Sequence, residues 1–300
     1  MKKMPTINDL YTLEELRKKI IKKQCESALI AVIVSLIIGL LSQTFEVTVI
    51  FFFLMLLLSQ TITVRDVNNF KKAYKHLIIL EIFKKVFTNV NFFPDKGLNY
   101  NLFKTIDVLD KPDRYTTNDY IKATYNNINF ETADVHFEER HTTSKGRTYY
   151  TTMFQGQWYI FDFNKSFVSD VQIIDSNFTH TSRKSFFSKP FNKIQLEDME
   201  FNNLFDTYAQ NDLDAFYLLT PHVIQKLKTL KYANSGNLIF CFNNNKLHIG
   251  VNNDRNSFEP NLYRPININE IEQQTLQEIY DIISFINYLD LDNTLFRKGV

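Results

Sequence analysis

Two long apolar stretches lie close together near the start of the chain, with a short polar break between them. With their interfacial residues they extend over 25–42 and 45–64. A helix that crosses a bilayer needs about 20 mostly apolar residues, and each stretch is just long enough. Neither carries the polar stripe of a helix on the surface of a soluble protein. The pattern predicts two transmembrane helices; the alternative is a pair of helices buried in a soluble core.

Small residues recur at every fourth position of the first stretch, where Ala31, Ser35 and Gly39 share one helical face. Such spacing lets two helices approach closely. It predicts a helix-packing face, used within the hairpin or between two copies of the chain, with chance as the alternative. No ionisable residue lies in the middle of either stretch, so a path for ions or protons through the bilayer is not indicated.

Apolar spacing predicts helices and strands for the rest of the chain. A capping box at Thr12 and Glu15 predicts that the amphipathic helix of residues 1–24 begins at Thr12 and continues into the first apolar stretch. The other predicted elements are a juxtamembrane helix over 66–87, an irregular linker over 89–115, a short helix over 117–125, a β-rich block over 131–175, a helical block over 196–232, a hairpin over 238–251 and a C-terminal helix over 268–289. The fold class is therefore α+β: a two-helix transmembrane hairpin followed by an α+β domain with an antiparallel sheet over 65–300.

Several of these predictions are specific enough to be checked one by one. In the β-rich block, 147–154 and 157–163 predict two strands with Gly156 as a bulge, and 168–174 predicts the next strand of the same meander. Phe201, Leu204, Phe205 and Tyr208 have helical spacing. Asn211 and Thr220 are predicted to cap the two helices that follow them.

Basic residues flank the two apolar stretches on the same side, whereas their connection has none. The flanking residues are Arg17, Lys18, Lys19, Lys22, Lys23, Arg65, Lys71, Lys72 and Lys75. By the positive-inside rule, this asymmetry predicts a multi-pass protein of the cell membrane with both termini in the cytoplasm. The two cysteines, Cys25 and Cys241, lie far apart, which excludes a disulfide scaffold and fits a reducing compartment.

The sequence offers no recognisable catalytic or metal-binding motif. His136 and His141 resemble a zinc-protease motif, but their spacing of five on a predicted strand places them on opposite faces. Phosphate-binding loops depend on glycine, and the chain has 7 glycines. A net charge of +1 gives no global field for nucleic acid. We therefore predict no catalytic residue, no cofactor, no metal ligand and no nucleic-acid partner.

Basic and aromatic residues alternate in the predicted loop over 180–193. This mixture suits the headgroup layer of a membrane and also single-stranded nucleic acid. The favoured interpretation is an ordinary loop whose phenylalanines pack on the domain, and for a chain tethered to a bilayer the functional hypothesis is contact with the membrane surface. The predicted contact residues are Arg183, Lys184, Phe186, Phe187 and Lys189.

The stretch 196–221 resembles the bacterial membrane-protein family of the domain of unknown function 3137 (DUF3137). The residues that carry the resemblance are Leu196, Glu197, Phe201, Phe205, Tyr208, Asp212, Ala215, Leu218, Leu219, Thr220 and Pro221, supported by 154–156, 161–163, 238–251 and 258–260. The resemblance extends from about residue 70 to the end. It implies the fold and two N-terminal spans, but no activity. Members often carry a basic residue where this chain has Phe216, so any function of that base is lost here.

Three functions fit these observations. The first is a non-enzymatic, membrane-anchored cytoplasmic module that binds or assembles another membrane protein or a second copy of itself, in contact with the lipid bilayer. The second is an enzyme of unknown class acting at the membrane face. The third is a sensor of the lipid surface that uses the loop over 180–193.

Overall fold

A computed structural model describes residues 7–163, 170–184 and 191–289. The chain forms two compact units. The first contains the N-terminal helices as far as Ile82, together with Phe258–Thr275. The second contains Phe83–Ser257 and the chain from Leu276 onwards. The fold is α+β, with N-terminal helices apolar enough to span a membrane and an antiparallel sheet in the second unit, which confirms the predicted fold class.

Two long helices dominate the first unit. Helix α1 is Ile7–Ser42 and helix α2 is Phe45–Tyr74, and the chain reverses between them at Gln43, whose φ is 50°. Helix α1 begins at Ile7, before the predicted cap at Thr12, and joins the amphipathic N-terminal segment and the apolar stretch without a break. Helix α2 continues through a π-helical turn at Lys75–Ile79 into α3, Leu80–Val86. Helix α2 therefore continues past residue 64, where the second apolar stretch was predicted to end. The helical residues beyond that point agree with the predicted juxtamembrane helix.

Within the described residues, nine antiparallel strands form one sheet in the order β1-β2-β3-β4-β9-β8-β5-β7-β6. The strands are β1 Thr88–Phe93, β2 Arg114–Tyr125, β3 Ile128–Thr142, β4 Thr148–Asp162, β5 Val171–Asp175, β6 Asn192–Ile194, β7 Phe205–Ala209, β8 Asn237–Asn243 and β9 Lys246–Asn252. The remaining helices are α4 Tyr100–Ile106, α5 Met199–Leu204, α6 Asp212–Leu218, α7 Pro221–Ala233 and α8 Ile268–Tyr288, with a 3₁₀ turn at Ser182–Lys184.

Both faces of the central strands are covered, so successive side chains are buried alternately above and below the sheet. On one face Trp158 packs edge-on against Phe103 of α4, with ring centroids 5.0 Å apart. Gly250 makes room for this indole, since a Cβ there would overlap the ring. On the other face Tyr159 packs against Phe285 of α8, with ring centroids 5.2 Å apart. A polar residue within such a strand is therefore buried, whichever way it points.

Four predicted elements differ in the structure because strand pairing overrides local spacing. Strand β2 replaces the predicted short helix, and Ile121 and Ala123 alternate into the core. Strand β1 and helix α4 occupy much of the predicted linker. Strand β4 is continuous, and its register shift against β3 falls at Met153 rather than at Gly156. Strand β5 pairs with β7 and β8, so it does not extend the meander.

The predicted helix over 201–208 is in fact half helix and half strand. Helix α5 ends at Leu204, and β7 begins at the next residue and pairs with both β5 and β6. The two predicted caps agree with the structure: the side chain of Asn211 accepts from Leu213 N, and that of Thr220 from Val223 N. The predicted hairpin is the β8–β9 pair.

Candidate functional site

The small residues of α1 lie on its buried side. Ala31 and Ser35 are each 2% exposed, and a Cβ at Gly39 would overlap Thr48 Oγ1 of α2. Gly39 therefore lies at a close approach of the two helices. A contact between copies of the chain through this face stays a prediction.

Polar contacts join α1 and α2 where their apolar stretches meet the basic flanks. Lys23 Nζ lies 2.7 Å from Asp66 Oδ2. One helical turn away, Gln24 Nε2 lies 3.3 Å from Thr63 Oγ1, and Thr63 is 1% exposed. Buried polar atoms are stable only with hydrogen-bond partners. These pairs therefore fix the register of the two helices at this level.

The segment 258–267 of the same unit is held against the helices by charged side chains. Glu259 lies 2.6 Å from both Lys71 Nζ and Lys75 Nζ. Burial raises the pKa of the Glu259 carboxyl, but the hydrogen bonds from the two lysines outweigh it and leave the pKa below its usual value. Arg17 donates to the carbonyl oxygen of Leu262 over 2.9 Å. The carboxylate is thus charged and compensated.

A cleft of about 530 Å³ opens between these parts of the first unit. Its walls are Gln24, Ser27 and Ala28 of α1, Leu56, Thr63, Val64, Val67, Asn68 and Lys71 of α2, and Tyr263. The Tyr263 hydroxyl lies 3.4 Å from Gln24 Oε1, although the residue is 73% exposed. The cleft falls within the volume range of small-molecule sites and has hydroxyl, amide, ammonium and apolar walls.

A second polar cluster lies in the second unit. Its members are Asp134 of β3, Gln157 and Tyr159 of β4, Glu278 of α8, and Ser257, which precedes that helix. Asp134 Oδ2 accepts from Ser257 N over 2.6 Å, and Gln157 Nε2 donates to Ser257 Oγ over 2.6 Å. The Tyr159 hydroxyl donates to Gln157 Oε1. Glu278 Oε2 is buried and accepts no hydrogen bond from any residue that the structure describes.

The pKa values of the carboxyl groups in and beside this cluster respond to burial and to one another. Burial, followed by the charges of Asp134 and Asp281, raises the pKa of Glu278 to about 8. Burial also raises the pKa of Asp281, and burial with the three neighbouring acids holds the pKa of Tyr159 well above its usual value. The cluster can therefore bind or release a proton near neutral pH. Catalytic groups are often perturbed in this way, but structural groups can be as well.

Sequence reasoning missed this cluster, although a signal was present. Glu278 falls among Thr275, Ile279 and Ile282 on the buried stripe of α8, where an acid is unexpected. Asp134 gave no comparable signal, because an alternating strand normally presents such a residue to water. Only the layers on both faces of the sheet bury it, to 5% exposure.

Of the five residues predicted to touch the membrane surface, the structure describes the side chain of Arg183 alone. That side chain is 1% exposed, lies 2.7 Å from Asp107 Oδ2 and stacks on Phe191 with its guanidinium carbon 4.2 Å from the ring centre. It therefore does not face a lipid headgroup. The side chains of Lys184, Phe186, Phe187 and Lys189 lie outside the described residues, and their contact with a membrane stays a prediction.

The two histidines of the apparent zinc motif each contact a threonine of β4. His136 Nε2 lies 3.1 Å from Thr152 Oγ1, and His141 Nε2 lies 2.7 Å from Thr151 Oγ1. Thr151 and Thr152 are adjacent in a strand and so point to opposite faces. Within the described parts of the chain, no group of three or more His, Cys, Asp or Glu residues is arranged to hold a metal ion.

These features define a class of protein: an α+β chain with an N-terminal helical pair apolar enough to span a membrane and an antiparallel sheet unit covered on both faces. Residues 152–291 match the model of the family described as "Protein of unknown function (DUF3137)". The match supports membership of the chain in this family and confirms the resemblance seen in the sequence. Searches of curated proteins and of solved structures found no match.

Proposed function

We propose that this protein is a membrane-anchored module: α1 and α2 span a bilayer, both termini face the cytoplasm, and the α+β unit binds a protein partner there. One observation carries the anchoring. The most apolar windows of the two helices are only 11% and 6% buried within the structure. A core helix of a soluble protein is mostly buried, so this exposure favours a lipid environment.

The exposed side chains are large and continuous along both helices. Leu40, Leu41 and Phe45 are each at least 80% exposed around the turn, and Ile50 and Leu57 are 64% and 65% exposed. Each Å² of apolar surface left in water costs about 25 cal/mol. Soluble monomers rarely expose apolar patches beyond a few hundred Å². A bilayer removes this cost, and the basic flanks on one side favour the orientation with both termini inside.

The binding of a partner is supported by an apolar face on α6. Leu213, Phe216 and Tyr217 are 74%, 53% and 64% exposed and lie at positions i, i+3 and i+4. Asp212 and Asp214 lie on the same short helix. Apolar side chains beside acids complement a basic amphipathic segment, so we propose such a segment of a second protein as the occupant.

Insertion and orientation can be tested together by cysteine labelling. In a Cys25→Ser background, Cys241 is 1% exposed and should stay unlabelled in the folded protein. An impermeant maleimide should label Gln43→Cys in intact cells and label Leu213→Cys only after permeabilisation. Release of the protein by alkaline carbonate would refute anchoring, and the reverse labelling pattern would refute the orientation.

The partner can be sought by placing a photo-crosslinking amino acid at Phe216 in native membranes. We expect a discrete crosslinked product that disappears when Leu213→Glu is added. The same probe at Tyr149, which is 50% exposed on β4, is the matched control. A protein that yields no product at Phe216, or equal products at both positions, does not bind a partner through α6.

A further inference from the structure

The cleft between α1 and α2 changes in polarity along its length. On α2 its walls run from Leu56 through Thr63 to Lys71, and on α1 from Ala28 to Gln24. With a rise of 1.5 Å per residue, Leu56 and Lys71 are about 22 Å apart along the helix. Because the helices are antiparallel, both place their apolar end on the side of the exposed apolar stretches. One end of the cleft is therefore apolar and the other end is polar.

Its polar end carries the donors that a phosphodiester requires. Lys71 lines the cleft with its side chain 41% exposed, and its ammonium, which lies 2.6 Å from Glu259 Oε2, has three N–H donors, more than this one contact uses. Asn68 lies one turn before it. Ser27, Thr63, Tyr263 and Gln24 lie at the level where the apolar stretches end, and their polar groups hydrogen-bond with one another or with the backbone of α1. Hydrogen bonds from a charged donor to phosphate are among the strong ones. An anionic oxygen group fits this end better than a neutral one.

The surrounding charge has the matching sign. Residues 14–26 of α1 and 65–75 of α2 together hold nine basic and four acidic residues. Each lysine or arginine near an anionic membrane surface contributes about 1 kcal/mol of attraction. Tyr263, which is 73% exposed, is a residue type that prefers the headgroup layer.

We propose that this cleft binds one anionic glycerophospholipid, with the phosphate beside Lys71 and Asn68 and an acyl chain along Ala28, Leu56 and Val64. The assignment rests on the proposed function, because the acyl chain leaves the cleft into the bilayer that the two helices cross. A soluble anion would use only the polar end and would leave the apolar walls uncovered. The lipid covers both.

The test is native mass spectrometry of the full chain released from nanodiscs of phosphatidylcholine containing phosphatidylglycerol. The wild type should retain one phosphatidylglycerol preferentially. Lys71→Gln should weaken its retention about fivefold, as expected for one phosphate contact, whereas Glu259→Gln, which breaks the ion pair of Lys71 but keeps the lysine charge, should not weaken it. Lys72→Gln removes the same charge from the next residue, which does not line the cleft, and should weaken retention less than twofold.

A second pair of variants fills the cleft without changing charge. Ala28→Phe should reduce phosphatidylglycerol retention, whereas Leu29→Phe, at a position 61% exposed beside it, should not. Equal effects of Lys71→Gln and Lys72→Gln, or unchanged retention in Ala28→Phe, would overturn the site. Competition by soluble glycerol phosphate as strong as by the lipid would also overturn it. Carbonate extraction of the same variants separates the outcomes, since a chain that stays inserted but shows no preferential retention loses this site and keeps its anchor.

Discussion

Glu259 and Glu278 are both largely withdrawn from water, and burial raises the pKa of each carboxyl, yet their net pKa shifts are opposite. Glu259 lies 2.6 Å from two lysine ammonium groups, and its pKa is below the usual value. Glu278 has Asp134 and Asp281 as its charged neighbours of greatest effect, and its pKa rises to about 8. The comparison shows that the neighbouring charges decide whether a buried carboxyl is an anchor or a proton-binding group.

The opposite pKa shifts also give Glu259 and Glu278 different roles. A charged Glu259 fixes the segment 258–267 on the helical pair and does not titrate near neutral pH. Glu278 exchanges its proton in that range, so the stability of the sheet unit depends on pH through it. Each conclusion can be tested by changing one residue.

The largest expected effect is that of Glu259→Gln. This substitution removes the carboxylate that Lys71 and Lys75 both contact, and Lys75 is 5% exposed. Breaking a fully buried ion pair lowers the free energy of unfolding by about 3–5 kcal/mol. We expect about 2 kcal/mol here, because the Glu259 side chain is 25% exposed. Amide hydrogen exchange in 258–267 should then accelerate about 30-fold.

Glu270→Gln is the matched control for that experiment, since Glu270 belongs to the same unit and is exposed. Its exchange rates should equal those of the wild type. If Glu259→Gln also leaves the segment unchanged, the lysines do not hold it through this carboxylate.

The next effect concerns the pH dependence of the sheet unit. The pKa of Glu278 is raised from 4.5 to about 8, so the folded state binds the proton more tightly than the unfolded state. The stability contribution is complete below pH 4.5 and is lost as pH rises to 8, by up to about 1.4 kcal/mol per pH unit. Denaturation followed through Trp158, the single tryptophan, should show this fall.

The range from pH 6.5 to 8 is the informative one. Burial lowers the pKa of His248 from 6.5 to about 3, so His248 adds stability as pH rises but only below 6.5. In the upper range Glu278→Gln should abolish the slope, whereas Glu197→Gln, at an exposed position of the same unit, should keep it. A slope that persists in Glu278→Gln would assign the titration to another group.

The smallest effect is that of Arg255→Gln. The charge of Arg255 lowers the pKa of Glu278, so its removal should move the titration of Glu278 upwards. Arg255 is exposed, and an interaction of that kind is worth about 0.4 kcal/mol, or about 0.3 pH unit. The shift should vanish at high salt, and a downward shift would contradict the assigned sign.

The sequence determined the elements whose signals are local. The apolar stretches, the caps at Asn211 and Thr220, the hairpin over 238–251 and the helix over 268–289 all follow from the spacing and type of neighbouring residues. The small-residue spacing of α1 is likewise a local signal, because four-residue spacing is a property of one helix, and its use as a packing face stays a prediction.

The tertiary structure alone decided which strands are neighbours and which polar residues meet. Residues 114–125 and 205–209 became strands because pairing across the sheet outweighs their local preference. Asp134 and Glu278 meet only because β3 and α8 pack together, and the cleft exists only where α1, α2 and Tyr263 meet. Both sites are made by residues remote in sequence, and the pKa shifts of Glu259 and Glu278 depend on burial and on groups from other elements. No local sequence pattern predicts the distances between these residues.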